Sequence, residues 1–195
     1  TIASGKVFTI EKRGVVLTPV DAALSKTYGS DDPTLTVTNS GAGSGAEEIP
    51  NVVTRATGET VNTWAFVAPT SSNYLFTIAS GKVFTIEKRP VTVTAVNQFK
   101  NYGDDDPVFT KTVSAFDAVN NTGLKSGDSL SVKYAVQSGD NVGSRSITPS
   151  SDVEATNSNY DITFNTGTLT ITQRPVTLTP VDAALSKTYG SDDPT

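Results

Sequence analysis

TIASGKVFTIEKR (residues 1–13) returns letter for letter at 77–89, and VVLTPVDAALSKTYGSDDPT (residues 15–34) returns at 176–195 with one change, Val16 against Thr177. Self-similarity of this kind makes a row of like domains the unit of organisation, and it outranks any local motif. Three anchors mark each unit. A strand leads to an acidic turn at Val15–Pro33, again at Val91–Pro107 and again at Val176–Pro194. A Gly-acid-polar-Val step follows at Gly58–Val61 and Gly139–Val142. A closing segment runs from Asn73-Tyr74 to Ile86, and from Asn159-Tyr160 to Ile171. The anchors divide the chain into the end of a preceding repeat (1–13), a first complete repeat (14–89), a second (90–174) and the opening strand and turn of a following one (175–195).

Alternation with period 2 sets the fold class. Tyr74, Phe76 and Ile78 share one strand face, as do Phe84 and Ile86; Tyr160, Ile162 and Phe164, then Leu169 and Ile171, repeat the arrangement. Gly81 and Gly167 sit between these strands, where glycine supplies the backbone freedom of a turn, so the closing segment reads as a hairpin. Residues 1–13 then read as the terminal hairpin of the preceding repeat. Further strands are expected near 34–39, 52–57, 63–68, 108–115, 130–137 and 144–148, with Asp21–Lys26 as the one short helix candidate. The expectation is all-β: tandem small β-sandwich, Ig-like domains, with β-grasp-like small domains as the alternative. Arg89-Pro90 and Arg174-Pro175 leave almost no linker, and proline restricts both itself and the residue before it, which favours a semi-rigid rod. Gly14 stands where the other junctions have proline, so that hinge is expected to be looser.

Composition narrows the function classes. A net charge of −5 argues against nucleic acid, which needs clustered Lys and Arg. Cys, Met and His are all absent, so there is no disulfide framework, no Cys/His zinc site and no histidine base or thiol nucleophile. No stretch is apolar enough to insert in a membrane. Enzymatic activity is not expected.

Lys26-Thr27-Tyr28-Gly29-Ser30-Asp31-Asp32-Pro33 and Lys100-Asn101-Tyr102-Gly103-Asp104-Asp105-Asp106-Pro107, with the Gly-acid-x-Val step and the closing Thr-Ile-x-x-Arg-Pro, resemble the YGX-type MBG domain. The first unit departs from the pattern at Asn62, where the second carries Gly143. The resemblance implies a tandem module of large bacterial surface or secreted adhesins: an extracellular, cell-surface stalk or matrix fibre, including the matrix of biofilms. It implies no catalytic residues. The expected partners are neighbouring repeats of the same protein and possible further copies, end to end or side by side; a glycan or surface ligand is left unnamed.

Several residues invite a sharper reading. Asp31-Asp32, Asp104-Asp105-Asp106 and Asp192-Asp193 place carboxylates in loops, the ligand type Ca²⁺ takes, although turn chemistry alone accounts for them. No cofactor is otherwise expected. Trp64 suggests a sugar platform, set against the simpler reading that Trp64 and Phe66 share the inward face of a strand. Tyr28, Tyr102 and Tyr189 each precede a glycine and are expected to pack over the turn. Lys26, Lys88, Lys100 and Lys133 are available for isopeptide crosslinks, which need a buried acid beside the amine. Thr92, Thr94, Thr168, Thr170 and Thr172 suit the solvent face of strands. Beside the stalk reading stand two others: a fibre subunit that self-associates by strand complementation through unpaired edges, and a carbohydrate-binding module centred on Trp64.

Overall fold

The computed structural model describes residue 5 and residues 7–20, 24–43, 49–152, 157–179 and 186–193. Strands appear where apolar residues alternate. In β1 (Arg13–Pro19) Val15 and Leu17 point inward while Val16 is exposed, and in β7 (Val83–Glu87) Phe84 and Ile86 do the same. The first repeat continues with β2 (Ser25–Thr27), β3 (Val37–Ser40), β4 (Thr54–Arg55), β5 (Asn62–Val67) and β6 (Tyr74–Ile78). The second consists of β8 (Arg89–Ala95), β9 (Gln98–Asn101), β10 (Lys111–Val113), β11 (Val132–Val136), β12 (Gly143–Ser151), β13 (Tyr160–Asn165) and β14 (Gly167–Thr172).

Each repeat is a sandwich of a three-stranded and a four-stranded sheet. The first has the orders β3-β1-β6 and β2-β7-β5-β4; the second has β10-β8-β13 and β9-β14-β12-β11. The two are the same topology strand for strand, so the duplication in sequence is a duplication in fold. No helix occurs among the described residues, which rules out the β-grasp alternative there, and none is long and apolar enough to cross a membrane. The expected strands fall within or beside β3, β4, β5, β10, β11 and β12. Asp21–Lys26 is not a helix over its described part: Ser25–Thr27 is strand β2, and Asp21–Ala23 lie outside the described residues.

The closing hairpin is corrected. β6 and β7 do not pair with each other; β6 pairs with β1, and β7 lies between β2 and β5 in the other sheet. β13 and β14 behave likewise, with only Thr166 between them. The register explains why. β8 runs parallel to β13 from Arg89↔Tyr160 to Thr94↔Asn165, and β9 runs parallel to β14 from Gln98↔Leu169 to Asn101↔Thr172. The offset between partners is the same before and after the break. Two long chain segments therefore run side by side and cross together from one sheet to the other. The crossing is tight: a Cβ on Gly167 would lie 2.6 Å from the Ala95 carbonyl oxygen. There the Asn97 side-chain oxygen accepts the backbone N–H of Thr168 at 2.9 Å. By position, residues 7–12 correspond to the last strand rather than to a hairpin. They are outside regular structure, with Val7, Phe8 and Ile10 exposed.

Lys88 alone separates β7 from β8. The apolar core does not stop at that boundary. Val91, Val93, Leu130 and Tyr160 of the second repeat join the cluster formed by the first, while Ala95, Ile147, Leu169 and Ile171 form a second cluster farther along. The sheets are separate, but the packing is continuous across the joint.

Candidate functional site: the joint between the repeats

The joint is built from the Tyr-Gly turn of the first repeat. Glu87 at the end of β7 accepts the Tyr28 N–H at 2.8 Å, and the Ser30 N–H closes the turn on Thr27 at 3.0 Å. Gly29 takes φ +79°, a left-handed backbone that disfavours a side chain. The turn recurs with the same bonds at Tyr102, where Thr172 accepts the tyrosine N–H at 2.8 Å, and its closing bond recurs at Ser191.

Into this turn reaches Arg89, the first residue of β8 and fully buried. Its Nε donates to the Tyr28 carbonyl at 2.7 Å, Nη1 to the carbonyls of Thr122 (3.0 Å) and Asp117 (3.2 Å), and Nη2 to Ser30 Oγ at 3.2 Å. The guanidinium lies 4.3 Å from the centroid of the Phe116 ring. A planar five-donor fork suits several carbonyls at once, where an ammonium would serve fewer. The carbonyls come from a loop of the second repeat that is held in shape independently. Asp117 and Thr122 exchange backbone bonds, and the Asp117 carboxylate accepts the N–H groups of Val119 and Asn120. Those bonds, Asn120 foremost, hold the Asp117 carboxyl below its ordinary pKa.

Around Arg89 the repeats exchange further bonds. The Tyr28 and Tyr160 hydroxyls both donate to Asp128 Oδ2, at 2.9 and 2.5 Å, and their rings meet edge to face at 5.5 Å. Ser30 Oγ donates to Asn121 Oδ1 at 2.8 Å, and the Val61 N–H to Asn159 Oδ1 at 3.0 Å. Burial first, and then the Asp128 carboxylate, raise the pKa of both tyrosines. A raised folded value means that the neutral hydroxyl stabilises the fold fully below the free tyrosine pKa of about 10, and that this contribution is lost as pH rises through the folded values. The urea midpoint is therefore expected to fall above pH 10, and to fall less in Tyr28→Phe, as followed by circular dichroism across pH 9–12. An equal alkaline loss in both proteins would contradict the assignment.

The acidic turns hold cations of the chain itself. Lys26 Nζ meets Asp32 at 2.6 Å and Glu59 at 2.5 Å, and Arg55 bonds the same two carboxylates at 2.6–2.9 Å. In the second repeat Lys100 meets Asp106 at 2.7 Å and lies 3.8 Å from Asp140; Lys187 pairs with Asp193 in the third copy of the turn. Asp104 pairs with Arg174 at 3.0 Å. Bonds from Arg55 and Lys26 hold Asp32 below its ordinary pKa, and Glu59 is lowered by the same two donors against the opposing effect of burial. Asp31, Asp105 and Asp192 lie in these turns with exposed side chains. Among the described residues no three acidic side chains gather as a metal site. The lysines weighed for crosslinking thus include two, Lys26 and Lys100, that serve as ion-pair partners.

Trp64 faces the core side of β5 with Phe66 and is partly buried. The Arg55 guanidinium stands 5.9 Å from its ring centroid, and a Cβ on Gly58 would overlap the ring. The sequence reading did not single out Arg89 as a site residue, nor Arg55, Asp128 or Asn159. Recurrence of arginine at 13, 89 and 174, each time closing a Thr-Ile-x-x-Arg segment, was the available signal.

These features define a class: two-sheet β-sandwich repeats joined end to end through a buried arginine, with the chain passing straight from one to the next. Residues 91–170 match the family model of the MBG domain, YGX type. The second repeat thus matches the MBG domain over nearly its whole length, and the first repeat shares its topology. No curated protein and no solved structure matches the chain.

Proposed function

We propose that this chain is a segment of a non-catalytic structural stalk, a run of MBG repeats that holds a distal part of a bacterial adhesin or matrix protein away from the cell. The observation that carries the reading is the joint: one residue between strands, and a buried arginine bonded to both sides. A joint of that kind fixes the angle between neighbours and adds length with every repeat. The Tyr102–Arg174 end of the second repeat extends the pattern. It repeats the Tyr28–Arg89 half of the joint, with Arg174 Nη1 3.4 Å from the Tyr102 carbonyl.

Small-angle scattering tests the reading. A ladder of about twelve residues at roughly 3.3 Å each gives about 40 Å per repeat, so two repeats in line extend roughly 80 Å. A compact chain of this length has a radius of gyration of about 16 Å. A pair-distance profile with a rod's long tail is expected; a globular profile would count against the stalk.

The sugar-platform reading has less support, since Arg55 and Gly58 occupy the surroundings of Trp64.

A further inference from the structure

We propose that each repeat is a tension clamp, in which the parallel ladder between its first and last chain segments is loaded in shear when the array is pulled along its length. The chain enters the second repeat at Arg89, beside Tyr160, and leaves after Thr172, beside Asn101. Entry and exit therefore lie at opposite ends of one continuous parallel ladder. A pull on the neighbouring repeats draws β8 backward from its start and β14 forward from its end, along the strand axis. The ladder's bonds then resist together, whereas a pull across the strands opens them one pair after another. The first repeat carries the same two parallel ladders, β1 against β6 from Arg13↔Tyr74 to Leu17↔Ile78 and β2 against β7 from Ser25↔Thr85 to Thr27↔Glu87, with the partner offset shifting by one residue at the crossing.

The weak point of such a ladder is its crossing between sheets, and both repeats bridge it. In the second, Asn97 takes the Thr168 N–H. In the first, the Ala79 N–H donates to Leu17 at 2.9 Å and the Thr85 N–H to Leu24 at 2.8 Å. The joint passes load on without slack, because Lys88 alone separates the last strand of one clamp from the first strand of the next. The use of the clamp in the organism rests on the stalk reading; the mechanical property does not.

The chain has no cysteine, so handles can be placed at will. In one variant Lys88→Cys and Gln173→Cys pull the second repeat from entry to exit. In the other Asp105→Cys and Gln173→Cys pull the paired ends of β9 and β14 apart. All three positions are exposed, and Val108→Cys, also exposed, replaces Asp105→Cys if that variant does not fold. Full-length chains carrying each pair are stretched in an optical trap at one loading rate, after equal urea midpoints confirm the fold. Full release of the repeat is recognised by a contour gain of roughly 200–300 Å, at about 3.5 Å per residue. The expected result is a rupture force at least twofold higher along the chain than across it. A ratio near one overturns the clamp. A rod by scattering with a ratio near one keeps the stalk and removes the clamp; a compact particle with a twofold ratio does the reverse.

Discussion

Arg89→Ala is expected to destabilise the chain by about 3 kcal/mol or more and to divide its urea unfolding into two transitions, one per repeat. The side chain is fully buried and satisfies three carbonyls and a hydroxyl. Hydrogen bonds to a charged group contribute about 1.5–3 kcal/mol each, and a buried acceptor left without a donor costs about 1–3 kcal/mol. The full sum is not expected, because the Asp117 and Thr122 carbonyls keep some backbone donors and water enters an opened joint. Arg89→Lys keeps the charge but cannot span four acceptors, so most of the loss remains. Arg174→Ala is the control. Its side chain is half exposed and bonds chiefly to Asp104, so it is expected to change stability by under about 0.5 kcal/mol. Denaturation followed by Trp64 fluorescence and by far-ultraviolet dichroism checks all three. Coincident transitions in Arg89→Ala would mean that the joint does not couple the repeats.

The joint was hard to see in the sequence for a physical reason. Arg89 reads as a polar residue before a proline, which is the usual profile of an exposed linker. Its burial depends on the loop from Phe116 to Asp128, distant in the chain and without counterpart of the same length in the first repeat. Nothing local to Arg89 announces that socket. The acidic turns are the opposite case. Lysine precedes the last turn aspartate by the same spacing at Lys26/Asp32, Lys100/Asp106 and Lys187/Asp193, and all three pairs form. That spacing was legible and points to ion pairing before any metal.

Strand positions were largely legible because alternation reports which residues face inward. Alternation does not report partners. Phe76 and Phe84 look the same whether their strands pair with each other or lie in opposite sheets, and both arrangements bury both rings. What decides the matter is backbone bonding: β6 gives its bonds to β1 and β7 gives its bonds to β2 and β5. Gly81 does adopt the left-handed backbone expected of a turn, with φ +79°. The turn was read correctly and the pairing on either side of it was not.

Phe84→Ala is expected to remove about 3–5 kcal/mol from the first repeat, a large share of its stability, since a unit of this size holds roughly 4–11 kcal/mol at about 0.05–0.15 kcal/mol per residue. The ring is fully buried, meets Phe66 edge to face at 6.4 Å, and carries the Arg55 guanidinium 5.1 Å from its centroid. Removing it leaves a cavity and takes away the surface on which Arg55 is held against Asp32 and Glu59, so the loss passes from the core into the ion network. Leu169→Ala, in the second cluster, is expected to cost about 2–5 kcal/mol as well, but in the other repeat. Trp64, the single tryptophan, separates the two outcomes. Its emission should shift to the red in Phe84→Ala under native conditions and stay unchanged in Leu169→Ala. Because Val91 and Tyr160 share the first repeat's cluster, the second repeat in Phe84→Ala should also unfold at lower urea than in the parent chain. A second repeat of unaltered midpoint would mean that each sandwich stands alone, and that the continuous packing across the joint carries no stability.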